Sequence, residues 1–268
     1  MNALLQARYA EDHGFEAHLN ETVRSIMAHK TCRHYLPQPL APGLLETLVA
    51  AAQSAPSSCN MQSWSVVVVT DPDAKAKLAA ITGNQQHVIQ APVLLCFLAD
   101  LARVEAVAAQ NEVPSEALDY LEMLLVGVID ASIAAQTLSI AAESLGLGTS
   151  YIGSLRNDVA EVVRLLGLPK RVTPVFGMAL GYPDPARPAN VKPRLAPSAV
   201  MHLGSYDARA AVEPVARYED ALEAFNANEG RAVARWGLHS ARRISGIERM
   251  EGRDKLWPIL REQALALK

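Results

Sequence analysis

The chain has only three cysteines, Cys32, Cys59 and Cys96, in 268 residues, and no two share the spacing of a CxxC pair or a Cys/His metal set. A disulfide framework and a zinc site are therefore excluded as organising principles, and no metal is expected. Surplus positive charge is missing as well, because 25 Lys and Arg stand against 28 Asp and Glu, for a net charge of -3. Nucleic-acid and membrane surfaces are met by clustered excess Lys and Arg, so neither partner is expected. An uninterrupted apolar run of membrane-spanning length is also lacking. The most apolar stretch, "MLLVGVIDASIAAQTLSIAAESLG", contains Asp130, Gln136 and Glu143, whereas a bilayer helix needs about 20 mostly apolar residues. It is read instead as a helix buried on nearly all faces. The N-terminus "MNALLQARYAEDHGFEAHLN" interrupts its apolar residues with Arg8, Glu11, Asp12 and His13, unlike the core of a signal peptide, so the expected location is cytoplasmic. GxGxxG, GxxxxGK[ST], GxSxG and HExxH are all absent, which removes local support for a dinucleotide fold, a P-loop, a nucleophile elbow and a zinc peptidase.

What is present is an ordinary globular composition, 50% hydrophobic and 20% charged, enough to bury the core of one large domain or somewhat more. "PGLLETLVAAAQS" carries Leu44, Leu45, Leu48, Val49 and Ala52 along one helical face. "SWSVVVVT" reads as a strand covered on both sides. Asp71 before Pro72 is a helix start. "PVLLCFLAD" is a second strand, and a polar helical stretch near 102–119 leads to the apolar helix, which stops at Gly146 as a C′ glycine. "GTSYIGSL" is a third strand, Asn157 caps "DVAEVVRLLG", and "TPVFGMALGY" is a fourth strand. Such alternation by itself suggests a parallel α/β sheet. From Pro183 the chain turns proline-rich and extended, and beyond residue 210 it reads as helical with scattered arginines.

Two basic clusters stand out, "HKTCR" at 29–33 and "KPR" at 192–194. A short charge run is ordinarily solvated surface. Its functional reading is an anion clamp in which Arg supplies a bidentate fork, Lys a point charge and Thr31 a hydroxyl. "PSSCNMQSW" is a turn of small polar residues before a strand, either a plain turn or a set of donors at a ligand edge. "SLGLGTSYIGSL" places Gly146, Gly148 and Gly153 around a strand, where glycine serves a cap, a bulge or close approach of a planar ligand.

In this order, "HKTCRHY", "SAPSSCNMQSW", "TGNQQHV", "AAESLGLGTSYIGSLRND", "VFGMALGYP" and "VKPRL" resemble successive blocks of the nitroreductase superfamily, in its NADPH-dependent, oxygen-insensitive nitroreductase and flavin reductase branch. The resemblance runs from about His29 to Leu195. It implies an α+β fold with a central mixed, mostly antiparallel sheet flanked by helices, in an intertwined homodimer with FMN in each interface site. The implied division is an N-terminal extension over 1–20, an FMN-binding core over 21–200 and a C-terminal helical excursion over 201–268 that packs on the partner subunit. Carried over by position, His29, Lys30, Thr31 and Arg33 match the family's His-Arg-Ser-x-Arg phosphate and ribityl motif, and Lys192 and Arg194 its second basic motif. Ser57, Ser58 and Asn60 match the turn lent to the flavin by the partner. Gln85 matches a glutamine near the ribityl chain or ring edge, and Tyr151, Ile152, Gly153 and Ser154 the strand end beneath the ring. Arg231, with Arg235 second, stands where the branch meets the NADPH 2′-phosphate. The implied activity is two-electron, ping-pong reduction of nitroaromatics, quinones or free flavin by NADPH or NADH, with no catalytic acid or base. Two alternatives are a flavin-binding or regulatory protein without turnover, and another reductive reaction of the superfamily such as dehalogenation. Cys32, inside the phosphate motif, is read as packing.

Overall fold

The computed structural model describes residues 3–10, 15–232 and 235–268; residues 1–2 and 11–14 of the expected N-terminal extension, and 233–234 of the arginine-bearing segment, lie outside them. Its elements are α1 (Ala3–Tyr9), α2 (Glu21–Met27), α3 (Leu44–Gln53), β1 (Trp64–Val69), α4 (Pro72–Ile81), α5 (Gln86–Gln90), β2 (Val93–Asp100), α6 (Ala102–Gln110) and α7 (Leu121–Ser144). β3 (Gly148–Ile152), α8 (Val159–Leu166), β4 (Val172–Gly181), α9 (Val215–Asn228), α10 (Trp236–Arg243) and α11 (Leu256–Glu262) follow. The chain divides into two units. One comprises residues up to Lys30 with Asn190–Met250, the other Thr31–Ala189 with Glu251–Lys268.

The larger unit is built on a four-stranded sheet of order β1-β2-β4-β3 in which every neighbouring pair is antiparallel. The parallel sheet suggested by element alternation does not form, because alternation of strands and helices leaves strand direction open. A parallel element survives only as the isolated bridge between Thr31 and Thr149. β2 sits in the middle and is buried along nearly its whole length, which explains its unbroken apolar sequence. β1 is equally apolar but lies at an edge, with Val68 37% exposed. Both of its faces are nevertheless covered, as expected: Val67 and Val69 pack into one apolar cluster, and Trp64 and Val66 into the other.

Local signals are largely honoured. Asp71 Oδ2 accepts the Ala74 N–H at 2.7 Å and starts α4 with Pro72 in its first turn. Gly146, at φ +79°, follows the C-terminus of α7. The cap of α8 is displaced by one residue: Asp158, not Asn157, accepts from the Glu161 N–H. Asn157 instead accepts from Arg253 Nε at 2.9 Å.

α7 lies across the sheet with Ala131, Ala134, Ala135, Leu138 and Ala142 fully buried. Small side chains let the helix axis approach Leu95 and Phe97 of β2 in the same apolar cluster. By length and composition α7 could cross a membrane. Its burial is one-sided, however, because Leu121, Leu125 and Ile129 are 46%, 46% and 54% exposed at helical i, i+4 spacing. The expectation of a helix buried on nearly all faces is corrected to one with an apolar outer stripe.

The final residues are stapled into this unit by Arg171. Its guanidinium pairs with Asp119 at 2.8 Å and Glu105 at 3.0 Å and donates to the carbonyls of Leu118 and Ala264. Gln263 Nε2 donates to Pro169 O and Val172 O, both at 2.9 Å, while Leu265 is fully buried. Arg171→Ala should cost about 2–4 kcal/mol by orphaning several buried acceptors at once. The check is a lower urea midpoint at unchanged slope.

Candidate functional site

In the smaller unit, the two basic segments from opposite ends of the sequence converge on Arg8 of α1. Its guanidinium donates to Met27 O at 2.8 Å, His29 O at 3.2 Å and Lys192 O at 2.8 Å, and its own carbonyl accepts the Arg194 N–H at 2.8 Å. A planar fork suits this task because it reaches several acceptors in fixed directions. The side chains of Lys30, Lys192 and Arg194 are exposed, and Arg194 Nη1 leans on Pro193 O at 3.1 Å. The backbones of the two segments are thus brought to one guanidinium, and the side chains they carry are of the type competent to hold an anion. Arg8 went unread in the sequence because nothing local distinguishes it from a surface arginine on a short helix.

In the larger unit, Thr31 bridges Thr149 of β3, and the Cys32 N–H donates to Thr149 O at 2.9 Å. This fixes the following residue, Arg33, which is exposed. Cys32 is buried, and a Cβ built on Gly148 would lie 2.5 Å from its Cβ, so glycine at 148 is what admits it. Burial pushes the Cys32 thiol up, in line with a packing role. His87 of α5 is buried too, and its pKa falls from 6.5 to about 4, first by desolvation and then by the charges of Arg33 and His34.

Gln85 and Ser154, 69 residues apart in sequence, are hydrogen-bonded: Gln85 Nε2 donates to Ser154 Oγ at 2.8 Å and to Thr82 O at 2.8 Å. The amide's two protons are thereby committed, leaving its carbonyl oxygen and the Ser154 hydroxyl proton to face outward chemistry. Tyr151 is 39% exposed, and its hydroxyl donates to Gln136 Oε1 at 3.2 Å. Its ring meets Phe176 edge-on at 5.1 Å, Phe176 meets Phe97 at 5.7 Å and Phe97 stacks on Trp64 at 6.3 Å, so one aromatic row crosses all four strands. Ile152 is buried beneath the strand end. A Cβ on Gly153 would meet nothing nearer than Arg156 Nη2 at 3.9 Å. The chain itself does not require glycine there, and the space before it is open to a flat ligand.

The turn at 57–63 is shaped from behind. Asp130 of α7, 2% exposed, accepts from Ser57 Oγ at 2.7 Å, Ser58 N at 3.1 Å and Ser63 N at 3.0 Å. Ser57 points inward, so its hydroxyl is a support, while Ser58 and Asn60 are exposed. The signal in the sequence was an acid in the middle of a mostly apolar helix.

Arg231 pairs with Glu229 at 3.2 Å and lies over the Phe225 ring at 5.8 Å. Arg235 pairs with Glu219 at 2.8 Å and with Glu223 at 3.7 Å. A cavity of about 610 Å³ lined by Pro37, Pro42, Thr70, Lys75 and Pro92 includes none of the expected site residues. Among the described residues no group of three or more His, Cys, Asp or Glu side chains is placed to hold a metal ion.

Comparison with known proteins identifies the family of the chain. The model of the "Nitroreductase family" matches residues 26–182, and that of the "Nitroreductase family, C-terminal domain" matches residues 192–268. NADPH-flavin oxidoreductase of Vibrio harveyi is 34% identical over 250 residues, 92% of this chain and 99% of that protein. Oxygen-insensitive NADPH nitroreductase of Salmonella typhimurium is 35% identical over 228 residues, 84% of this chain and 92% of that protein. The solved structure of the Vibrio harveyi NADPH:FMN oxidoreductase complexed with NAD+ matches with a TM-score of 0.81 at 33% identity, covering 93% of this chain and 100% of that one.

Arg8→Ala should speed amide exchange in residues 27–30 and 192–194 by about tenfold or more, since each hydrogen bond to a charged group contributes about 1.5–3 kcal/mol to local closure. His87 yields a pH dependence. The unfolded histidine takes up a proton near 6.5 and the folded one near 4, so stability contributed by the neutral ring is present above 6.5 and is lost as pH falls from 6.5 to 4. Thermal melts across that window should show a steeper loss for the wild type than for His87→Gln.

Proposed function

The chain belongs to the nitroreductase family, and we propose that it is an FMN-dependent NAD(P)H oxidoreductase that reduces nitroaromatics, quinones or free flavin by two electrons. The observation that supports this reading is the convergence of the 27–29 and 192–194 segments on Arg8, which favours His29, Lys30, Lys192 and Arg194 as receptors for the FMN phosphate; Thr31 and Arg33, in the larger unit, are proposed from the family's motif alone. The larger unit supports the fit to a flat, polar-edged cofactor: the open face of Gly153, Tyr151 and Ile152 at the strand end, and the Gln85–Ser154 pair with an acceptor and a donor still to offer.

FMN, when bound, would supply the redox chemistry, a two-electron exchange between a reduced nicotinamide and an acceptor. His29, Lys30, Lys192 and Arg194 would hold its phosphate and contribute positive charge that favours the reduced, anionic flavin. Gln85 and Ser154 would hydrogen-bond the polar edge of the cofactor, and Gly153 would admit it close to the backbone. No side chain is assigned a proton transfer. The donor is NADPH or NADH, with Arg231 as the proposed contact for the 2′-phosphate, reached by exchange of Glu229 for the ligand.

The protein is proposed to act as a cytoplasmic homodimer, without nucleic-acid or membrane partners. Support for the dimer comes from the apolar outer stripe of α7, Leu121, Leu125 and Ile129, and from Met201, Leu203 and Tyr206, all more than 60% exposed, in the C-terminal excursion. Exposed apolar area of this kind marks subunit contact. In this arrangement Ser58 and Asn60 reach the flavin held by the partner.

The purified protein should be yellow, bleach anaerobically on addition of NADPH and recover on addition of nitrofurazone. A protein that stays colourless after FMN addition would remove the reading. Arg33→Ala and Lys192→Ala should each raise the FMN Kd by about tenfold or more, as expected for loss of a charge-assisted phosphate contact. Fluorescence titration of the apoprotein measures it.

A further inference from the structure

We propose that Asp130 is a positioning residue for the cofactor turn: its buried carboxylate holds residues 57–63 in the conformation that presents Ser58 and Asn60. The inference rests on the assignment of that turn to FMN. The turn is costly by itself, since Cys59, Asn60 and Gln62 take φ values of +48°, +54° and +54°, a region that asparagine tolerates but that cysteine and glutamine occupy at a cost their surroundings must offset.

The imposing contacts converge on one side chain. Asp130 Oδ2 accepts from Ser57 Oγ and Ser63 N, and Oδ1 accepts from Ser58 N, so both ends of the turn are tied to the same carboxylate. Ser57 Oγ in turn accepts the Gln62 N–H at 2.7 Å, which passes the restraint to the third left-handed residue. One helical turn earlier, a Cβ on Gly127 would lie 3.3 Å from Ser63 O and 3.0 Å from Ala99 Cβ. Glycine there allows the backbone of the turn to approach α7 closely enough to reach the acid. From the other side, Arg103 Nη1 donates to Gln62 O at 2.9 Å.

A carboxylate this buried is tolerated when its oxygens are hydrogen-bonded, and here all three donors come from the turn, while among the described residues no cation pairs with it. Its hydrogen bonds thus serve the turn, which exposes Ser58, Cys59 and Asn60.

The test uses the full chain with and without FMN. In the wild-type apoprotein the Ser58 and Ser63 amides should already be protected from hydrogen exchange. Free-peptide exchange that slows only when FMN is added would overturn the proposal, and this measurement needs no variant. Asp130→Asn sets an amide donor against donors of the turn, so both amides should exchange about tenfold faster or more while β2 and β4 stay protected, and the FMN Kd should rise by a similar factor. Gln62→Gly in that background should recover part of the affinity, because glycine adopts positive φ without strain. A purely structural acid would lower the melting temperature without moving the Kd of the folded protein, and Gln62→Gly would restore nothing. Wild-type binding with an unchanged Kd in Asp130→Asn overturns the positioning role alone; a wild-type protein that binds no FMN overturns the flavin assignment together with it.

Discussion

The close packing of α7 on the sheet is the contact on which the larger unit depends. A helix faced with Gly127, Ala131, Ala134, Ala135 and Ala142 comes nearer to β2 than one faced with leucines would, and the larger side chains Leu95, Phe97, Leu138 and Met178 fill the layer between them. Each of those buried side chains contributes about 1.5–3 kcal/mol relative to exposure. With the inner face committed, the helix has two other directions to offer. One carries the Leu121, Leu125 and Ile129 stripe outward, and the other carries Asp130 to the turn before β1.

A single helix thus ties core packing, an exposed apolar stripe and the 57–63 turn to one element. A shift of α7 by even an ångström would change all three, since hydrogen bonds near 3 Å weaken steeply with geometry. This accounts for a buried acid in the middle of a mostly apolar helix. Its cost in the core is offset by three hydrogen bonds that no alanine could accept.

The basic segments of the smaller unit follow a different logic. Lys30, Lys192 and Arg194 are exposed, and organisation comes from backbone carbonyls turned toward Arg8. A guanidinium that holds carbonyls adds positive charge to the neighbourhood while it orders the segments, so one residue serves both the electrostatics and the shape of the site. The 1–20 extension, which the resemblance to the family did not reach, supplies it.

Much of the molecule was legible in order and kind. The strands near 64–69, 93–100, 148–152 and 172–181, the Asp71–Pro72 helix start and the Gly146 stop are local signals, written in residues a few positions apart, and they are where they were expected. The cap of α8 was misplaced by one residue because Asn157 and Asp158 are both competent caps and only the distant Arg253 decides between them. The basic motifs and the small-polar turn were legible as residue types, through the order of the family's blocks. Strand direction was beyond local reading, as was the exposure of one face of α7, because both are set by what packs across the sheet. The joining of His29 to Lys192 by Arg8, of Gln85 to Ser154 and of the turn to Asp130 was likewise decided only in three dimensions. By itself the sequence determined which chemistry was available and in what order along the chain; the tertiary structure decided which of those groups meet, because hydrogen bonds between residues 69 to 184 positions apart leave no periodicity or spacing for a sequence to show.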